Sequence, residues 1–498
     1  MTTPVRRAMQ VARTDLPASI VVFLVALPLC AGVAVASGVP AELGLVTGVV
    51  GGLVAGALPG SSLQVSGPAA GLTVLVAEAV DTYGVAALGP IVLVAGLLQI
   101  GLGALRCGRW FQAISVAVVQ GMLTGIGLLL IAAQLYVLAG ATAPSSGVDK
   151  LAGLVRLAVR AGTSSTALTA VAVGLGTIVI AVRWAQLPGP ARLVPGTLVA
   201  VTAASAATAA LDLPLATVDV GGLLSVLQPS IGQLRQLADV GVLGTAVAFA
   251  LVASAESLFS ASAVDRMHHG SRTAFDKELI AQGVGNSVCG VLGSLPMTAV
   301  IVRSAANVQA GARTKASRVL HGVWLLVFVA ALPAVLALIP LPALAGVLIH
   351  AGFKLLPVKV LPQLWREHRG EALVLAGTAG AILLIDMFQG VLIGIGLAVA
   401  KSAWETSHVR VHVTDPGQGP IHVRLVGNAT FLRLPVILTA LSALPAHRAV
   451  RLDLRGLRHV DHACQSALSA WADRHNSTAP TPVLLLAGGH DPPPAPGP

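Results

Sequence analysis

Charged residues are scarce in this chain. Asp, Glu, Lys and Arg make up 10% of its 498 residues, whereas a soluble globular protein carries about 25%. Apolar residues make up 55%, and the mean hydropathy is +0.84. The composition therefore argues against a soluble enzyme and predicts a protein that lies mostly in lipid.

Aromatic residues and cysteines are also few. Aromatics make up 3% of the chain, which leaves few surfaces for stacking nucleic-acid bases despite the net charge of +10. Cys30, Cys107, Cys289 and Cys464 are scattered and form no CxxC pair, so neither a disulfide framework nor a zinc site is predicted. HExxH, GxSxG and phosphate-loop motifs are missing as well. We therefore predict no enzymatic activity, no metal and no cofactor.

Long apolar runs recur over the first 400 positions, and a spanning helix needs about 20 such residues. The first run carries Pro28 in its middle and follows a polar leader, so it is interpreted as a span and not as a signal peptide. About fourteen segments are predicted, of which the third, tenth and twelfth are short: 18–37, 43–59, 68–82, 86–104, 113–139, 168–184, 194–210, 244–263, 278–293, 297–310, 320–338, 342–352, 371–386 and 388–403.

Basic residues collect at the N-terminus and in every second connection, while the connections between are mostly acidic or neutral. By the positive-inside rule, both termini are predicted to be cytoplasmic. The connection 140–167 is an exception and is predicted to form a helix on the membrane surface. The basic residues are Arg6, Arg7, Arg13, Arg106, Arg109, Arg183, Arg192, Arg266, Arg272, Lys277, Arg313, Lys315, Arg318, Lys354, Lys359, Arg366 and Arg369.

The sequence changes character after Lys401. Short strand-like runs alternate with two short helical patterns, which predicts a small α/β domain over 408–487. A Pro-rich tail at 488–498 is predicted to be disordered. Residues 1–407 form the predicted membrane part.

Two Gly- and Pro-containing breaks, Ser66–Gly71 and Gly293–Thr298, each interrupt an apolar run and open into another. Paired breaks in two hydrophobic halves are typical of transporters built from inverted repeats. Pro68 and Pro296 suit the first turn of a helix, and facing helix starts would direct free amides at one anion. The alternative is that each break is a simple tight turn.

Two charged residues lie inside the predicted spans. Arg303 would add positive potential near the second break, or would pair with an acid or reach the interface. Three interpretations of Glu256 remain open: it balances Arg303, it carries a coupling proton, or it binds a cation together with Ser260.

Several motifs resemble those of the SulP anion transporters, in the same order along essentially the whole chain. The segment after 408 resembles a STAS domain through Leu452–Leu454 and Val460–His462. The membrane motifs are Ala26–Leu29, Ala36–Pro40, Val65–Pro68, Glu256–Ser260, Val264–Arg266, Glu278–Gly283 with Asn286, Pro296–Thr298, Val302–Ser304, Asn307 and Ala310–Thr314.

The resemblance implies a polytopic α-helical membrane protein with a 7+7 inverted repeat and a small cytoplasmic STAS domain. Spans 1–4 and 8–11 would form a core, and spans 5–7 and 12–14 a gate. The implied substrate-binding residues are Ser66, Gly67, Pro68, Ala69, Ala70, Thr73, Pro296, Met297, Thr298, Ala299 and Arg303. The implied coupling or gating residues are Glu256, Ser260, Ala26 and Pro28.

This chain also departs from the family pattern. Ala69 stands where several members have threonine, so the cavity would depend on backbone amides and Thr73. Ala299, Val300 and Ile301 disfavour a sodium site and favour proton coupling or exchange.

The predicted function is secondary-active transport of a small inorganic anion by an elevator-type mechanism. Sulfate or bicarbonate would cross a bacterial inner membrane, in exchange for chloride or with protons. The alternatives are an anion channel of the same fold and a dicarboxylate carrier. The implied partners are lipids and a second copy of the chain, with no nucleic acid.

Overall fold

The computed structural model describes residues 14–108, 115–144, 146–184, 186–187, 194–219, 239–268, 270–477 and 481–486. The chain forms two compact units, Met1–Ile395 and Gly396–Pro498. Arg6, Arg7, Arg13, Arg109 and Arg192 lie outside the described residues, as does the tail predicted to be disordered at 488–498.

The first half of unit one is almost entirely helical. Its elements are α1 (Leu16–Ala36), α2 (Ala41–Val50, continued by a π-helical turn at Gly51–Ala55), β1 (Ser66–Pro68), α3 (Thr73–Tyr83, preceded by a 3-10 turn at Ala70–Leu72), α4 (Val85–Ala104), α5 (Val116–Leu138), α6 (Gly147–Thr163), α7 (Ser165–Trp184) and α8 (Gly196–Ala210).

The second half repeats the pattern of helices around one short strand. Its elements are α9 (Val240–Val264), α10 (Phe275–Val291), β2 (Met297–Ala299), α11 (Ile301–Gln309), α12 (Ala316–Ala331), a 3-10 turn (Pro333–Leu338), α13 (Leu341–Leu355), α14 (Leu361–Glu367), α15 (Arg369–Leu384) and α16 (Met387–Thr406), which continues into unit two.

Each of the fourteen predicted apolar segments contains an α-helix. Five of the described helices are long and apolar enough to cross a membrane alone: α1, α4, α5, α7 and α9. The others are shorter or interrupted, as expected where breaks divide the helices. The exact number of crossings stays a prediction.

The two sequence breaks form strands where the sequence had predicted first helical turns. β1 and β2 pair antiparallel, with Ser66 opposite Ala299 and Pro68 opposite Met297. The prediction that Pro68 and Pro296 occupy the first helical turn was therefore wrong. The strands arise because two extended segments that meet at depth satisfy each other's backbone groups, which lipid cannot do.

Close packing between α4 and α10 fixes the position of α10. A Cβ atom on Gly96 would lie 2.4 Å from the backbone nitrogen of Ser287, so only glycine allows this approach. Small residues at helix contacts let backbones pack closely in membranes. The polar face of α10 is thereby held in a defined orientation.

The helix α6 lies in the connection 140–167, which is the exception to the positive-inside rule. Leu157 is buried, and the Tyr136 hydroxyl of α5 donates to the Lys150 carbonyl at 2.9 Å. Val155 and Val159 are exposed on another side of the helix. An apolar side directed away from the protein fits the membrane-surface interpretation, which stays a prediction.

Unit two contains a four-stranded sheet in the order β3-β4-β5-β6, where β3 and β4 are antiparallel and the later pairs are parallel. Alternate side chains of β4 point into a core shared with Ile437 and Leu468. Its elements are β3 (Val409–Thr414), β4 (Ile421–Ala429), α17 (Leu434–Ser442, after a 3-10 turn at Phe431–Arg433), β5 (Val450–Val460), α18 (His462–Asn476) and β6 (Leu484–Leu486).

Candidate functional site

Two helices begin immediately after the paired strands. The chain turns from β1 into α3 through the 3-10 turn Ala70–Leu72, and from β2 into α11 at Ile301. The Val300 amide donates to the Val65 carbonyl at 2.9 Å, which extends the pairing to the start of α11. Both helix starts therefore lie beside one crossing point, where unpaired amides and the helix dipoles favour an anion.

A cavity of about 480 Å³ opens at this crossing. Much of its wall is apolar, and four of the residues that line it are ionisable: Glu256, Arg303, His350 and Lys354. Three of these four side chains are basic. A mostly apolar cavity with a few convergent polar groups is typical of a small-ligand site.

Arg303 is fully buried at the start of α11. It is the third residue of this helix, because β2 delays the helix start to Ile301. Its Nη2 donates to the Pro68 carbonyl at 3.2 Å, while Nε and Nη1 have no hydrogen-bond partner among the described residues. No carboxylate in the described part of the chain forms an ion pair with it. A buried cation is costly unless it is compensated, so the guanidinium can hold an anion.

Glu256 reaches the same cavity from α9. Its carboxylate lies against the 3-10 turn before α3, because a Cβ on Gly71 would be 2.5 Å from Oε1. The Thr298 side chain interacts with this carboxylate, whereas Oε2 has no partner among the described residues. Glu256 does not form an ion pair with Arg303, so the two charges face the cavity separately.

The structure brings six of the predicted site residues together in the cavity wall. These residues are Pro68, Ala69, Ala70, Glu256, Ser260 and Arg303. The first three come from the break before α3, two come from α9 and one from α11.

The other predicted residues lie behind the wall or elsewhere. Ser66, Gly67, Met297, Thr298 and Ala299 form the strand pair, and the residue before β2 is Pro296. Ala26 and Pro28 are buried inside α1, whose Val25 and Leu29 face the cavity instead.

Thr73 lines a different cavity, of about 400 Å³, together with Glu78, Asp81 and Lys150. Its hydroxyl has no hydrogen-bond partner among the described residues. The expectation that Thr73 and the backbone amides share one cavity is therefore not met, since Thr73 does not line the 480 Å³ cavity.

The sequence did not single out His350 or connect Lys354 with the site. They lie four residues apart on α13, so they share one helix face, and both line the 480 Å³ cavity. Lys354 was counted only as a cytoplasmic basic residue. The available signal was a basic pair at helical spacing near the end of an apolar helix.

Comparison with known proteins now identifies the family. A model of the sulfate permease family matches residues 13–378, well over half of the chain. The chain belongs to the sulfate permease family. Proteins of this family and the relatives described below are transporters and not enzymes.

Two relatives resemble the chain in sequence. It is 27% identical over 395 residues to the putative sulfate transporter YvdB of Bacillus subtilis, covering 78% of this chain and 73% of the relative. It is also 27% identical over 412 residues to the bicarbonate transporter BicA of Picosynechococcus, covering 78% and 69%.

Solved structures share the fold. The transmembrane domain of a cyanobacterial bicarbonate transporter BicA superposes with a TM-score of 0.64 at 24% identity, covering 78% of this chain and 98% of that one. Murine Slc26a9 in an inward-facing state gives 0.75 at 17% identity, covering 95% and 84%. The chain is thus a multi-pass membrane protein with this transmembrane fold.

Proposed function

We propose that the protein carries small inorganic anions across the membrane by secondary-active transport. The observation that carries this proposal is the buried Arg303 guanidinium, two of whose nitrogen atoms have no hydrogen-bond partner among the described residues, where the starts of α3 and α11 meet. Helix starts and a guanidinium are both suited to oxyanions. The names of the relatives, sulfate and bicarbonate transporters, support the same substrate class.

The mechanism we propose is a movement of a core against a gate, as the resemblance implies. Segments 1–4 and 8–11 would form the core and carry β1, β2, Arg303 and Glu256. Segments 5–7 and 12–14 would form the gate, which includes α13 with Lys354. This division is supported by the cavity, which lies between residues of both sets.

Coupling is proposed to involve protons or exchange for chloride. Glu256 faces the cavity, and within the described part of the chain its Oε2 has no hydrogen-bond partner and its carboxylate forms no ion pair, which fits a group that gains and loses a proton during transport. The apolar Ala299, Val300 and Ile301 offer no side-chain oxygen for sodium. We further propose a homodimer in a bacterial inner membrane, with both termini cytoplasmic and with 408–487 acting as a STAS domain.

The test is uptake of labelled sulfate and bicarbonate into proteoliposomes, with sodium and pH gradients varied independently. We expect saturable uptake that depends on the pH gradient or on internal chloride. Arg303→Ala and Glu256→Gln should each reduce uptake at least about 10-fold, because each removes a charge from the cavity. Unchanged uptake in both folded variants would contradict the assignment of Arg303 and Glu256 to the transport site.

A dicarboxylate is the second candidate substrate. The 480 Å³ cavity is large for one sulfate ion, and basic side chains line it from two elements, Arg303 from α11 and Lys354 from α13. An anion with two separated carboxylates could contact both. Competition of labelled sulfate uptake by unlabelled succinate distinguishes the candidates: inhibition with trans-stimulation favours a dicarboxylate carrier.

A further inference from the structure

One face of α10 carries three buried polar side chains at intervals of four residues: Glu278, Gln282 and Asn286. Residues four apart on a helix lie above one another on the same face. We call this set the α10 polar stripe. None of its members lines the 480 Å³ cavity.

Asn286 holds β2 through both backbone groups of one residue. Its Oδ1 accepts from the Met297 amide at 2.7 Å, and its Nδ2 donates to the Met297 carbonyl at 3.0 Å. Nδ2 also donates to Gln99 Oε1 at 2.7 Å, which fixes the orientation of the side-chain amide. Asn286 therefore pairs with Met297 much as a neighbouring strand would.

Met297 needs such a partner because of its place in the strand pair. Hydrogen-bonded pairs alternate along an antiparallel ladder, and the Val300 amide bonds to the Val65 carbonyl, so the backbone groups of Met297, opposite Pro68, point away from β1. Two positions further on, a side chain again supplies the hydrogen-bond partner, because the Ala299 amide donates to Ser257 Oγ at 3.3 Å. Buried backbone groups at membrane depth must find such partners within the protein.

The other two members of the stripe hold β1 and the chain before it. Gln282 Nε2 donates to Ser66 Oγ and to Glu278 Oε1, both at 2.7 Å. Glu278 accepts in addition from the Ser61 amide at 2.7 Å and from Gln64 Nε2 at 3.3 Å. Along α10, the stripe thus contacts the approach to β1, then β1, then β2.

We propose that Gln282 and Asn286 are positioning residues for anion binding, which fix β1 and β2 relative to each other and thereby align the two helix starts on one anion. This inference rests on the proposed function. Arg303 connects the strand positions with the anion site. Its guanidinium bonds to the carbonyl of Pro68 at the end of β1, and its own backbone follows β2. A shift of either strand would therefore displace the cation as well as the amides.

The test compares Asn286→Ala, Asn286→Asp and Gln282→Ala with wild type in proteoliposome uptake of sulfate and of bicarbonate. We expect KM to rise about 10-fold or more in Asn286→Ala, with a smaller change in maximal rate. We also expect the ratio of the two KM values to change, because the anions differ in size and charge and depend differently on amide geometry. A purely stabilising residue would leave that ratio unchanged.

The matched control is Ser287→Ala on the same helix, because among the described residues the Ser287 hydroxyl donates only within α10, to the Gly283 carbonyl at 2.9 Å. Its KM values should equal those of wild type. If Asn286→Ala does not fold, Asn286→Asp decides by the same readout, since it keeps the volume and the acceptor for Met297 but loses the donated bonds. Unchanged KM values and an unchanged ratio in the folded variants overturn the inference.

A second measurement separates this inference from the proposed function. Hydrogen–deuterium exchange of the peptide 295–301 needs no transport activity. Faster exchange in Asn286→Ala than in Ser287→Ala supports the positioning of β2, and equal rates overturn it. If wild type carries neither anion, the proposed function fails, while the exchange result still decides whether Asn286 holds the strand.

Discussion

At the scale of single residues, the site depends on places where a side chain is missing. Gly67 lies in β1 directly behind Arg303, and a Cβ there would be 2.2 Å from Nη1. That distance is shorter than any normal contact, so the guanidinium could not keep its position. The glycine thus allows the cation to approach the strand backbone and bond to the Pro68 carbonyl.

We expect Gly67→Ala to weaken anion binding without unfolding the protein. The added methyl group displaces the end of a flexible side chain and not a backbone, so the cost falls on the position of Arg303. KM for sulfate or bicarbonate uptake should rise about 10-fold, the size of effect that a misplaced charge-assisted contact produces. Gly101→Ala on α4 is the matched control, because nothing lies within 4 Å of its added methyl. Equal KM values in the two variants would contradict this account.

At the scale of elements, the sequence predicted where the chain breaks but not what the breaks become. The Gly and Pro content of Ser66–Gly71 and Gly293–Thr298 located both interruptions correctly. Pairing of β1 with β2 could not be predicted, because strands of three residues carry no periodic signal and form only when two distant segments meet. The same tertiary pairing moved Arg303 into the first turn of α11.

The second wall of the cavity was missed for a related reason. His350 and Lys354 come from α13, far along the chain from both breaks, and only the packing of helices brings them to the cavity. Charge counting assigned Lys354 to a cytoplasmic connection. A basic residue near a helix end has this ordinary interpretation until the fold is known.

We expect Lys354 to attract anions to the cavity from α13. Lys354→Ala should raise KM about 3- to 10-fold at low ionic strength, and the difference from wild type should shrink in high concentrations of a non-transported salt, because salt screens a partly exposed charge. Lys354→Arg should retain most of the affinity. Lys359→Ala is the control, since Lys359 is exposed and does not line the cavity. A loss of equal size in Lys359→Ala would mean that general surface charge, and not the cavity wall, is responsible.

At the scale of the whole molecule, the chain combines an apolar helical unit with a small α/β unit that has a hydrophobic core of its own. The alternation of strands and helices after Lys401 was readable from sequence because a strand such as Ile421–Ala429 buries alternate side chains along its first half. Strand β5 extends to Val460, because it continues to pair with β4 past an irregularity near Val426. Sequence patterns do not indicate such irregularities.

Asp461 joins two parts of this α/β unit. Its carboxylate caps α18 by accepting from the Cys464 amide at 2.7 Å, and it also accepts from the Phe431 amide in the turn before α17. These bonds favour the charged form, so the pKa of Asp461 lies below its ordinary value of 3.8, with the Cys464 amide as the main cause. A lowered folded pKa means that the stabilisation is present above the ordinary pKa and is lost as the pH falls through the folded value.

We therefore expect the first turn of α18 to lose protection against hydrogen exchange as the pH falls below about 4, the ordinary range for an aspartate, when the full-length protein is labelled at each pH and the rates are corrected for the intrinsic pH dependence of exchange. Asp461→Asn keeps an oxygen acceptor and should show no such step, whereas Asp461→Ala should exchange faster at every pH, consistent with the roughly 1 kcal/mol that loss of an N-cap costs. Asp and Asn have the same shape and both accept a hydrogen bond, but only Asp carries a negative charge. The two variants therefore separate the hydrogen-bonding role of the carboxylate from the role of its charge. An identical acid step in wild type and Asp461→Asn would assign the pH dependence to other carboxylates of the unit, of which Asp453, with its pKa held low by Arg455, is the next to test.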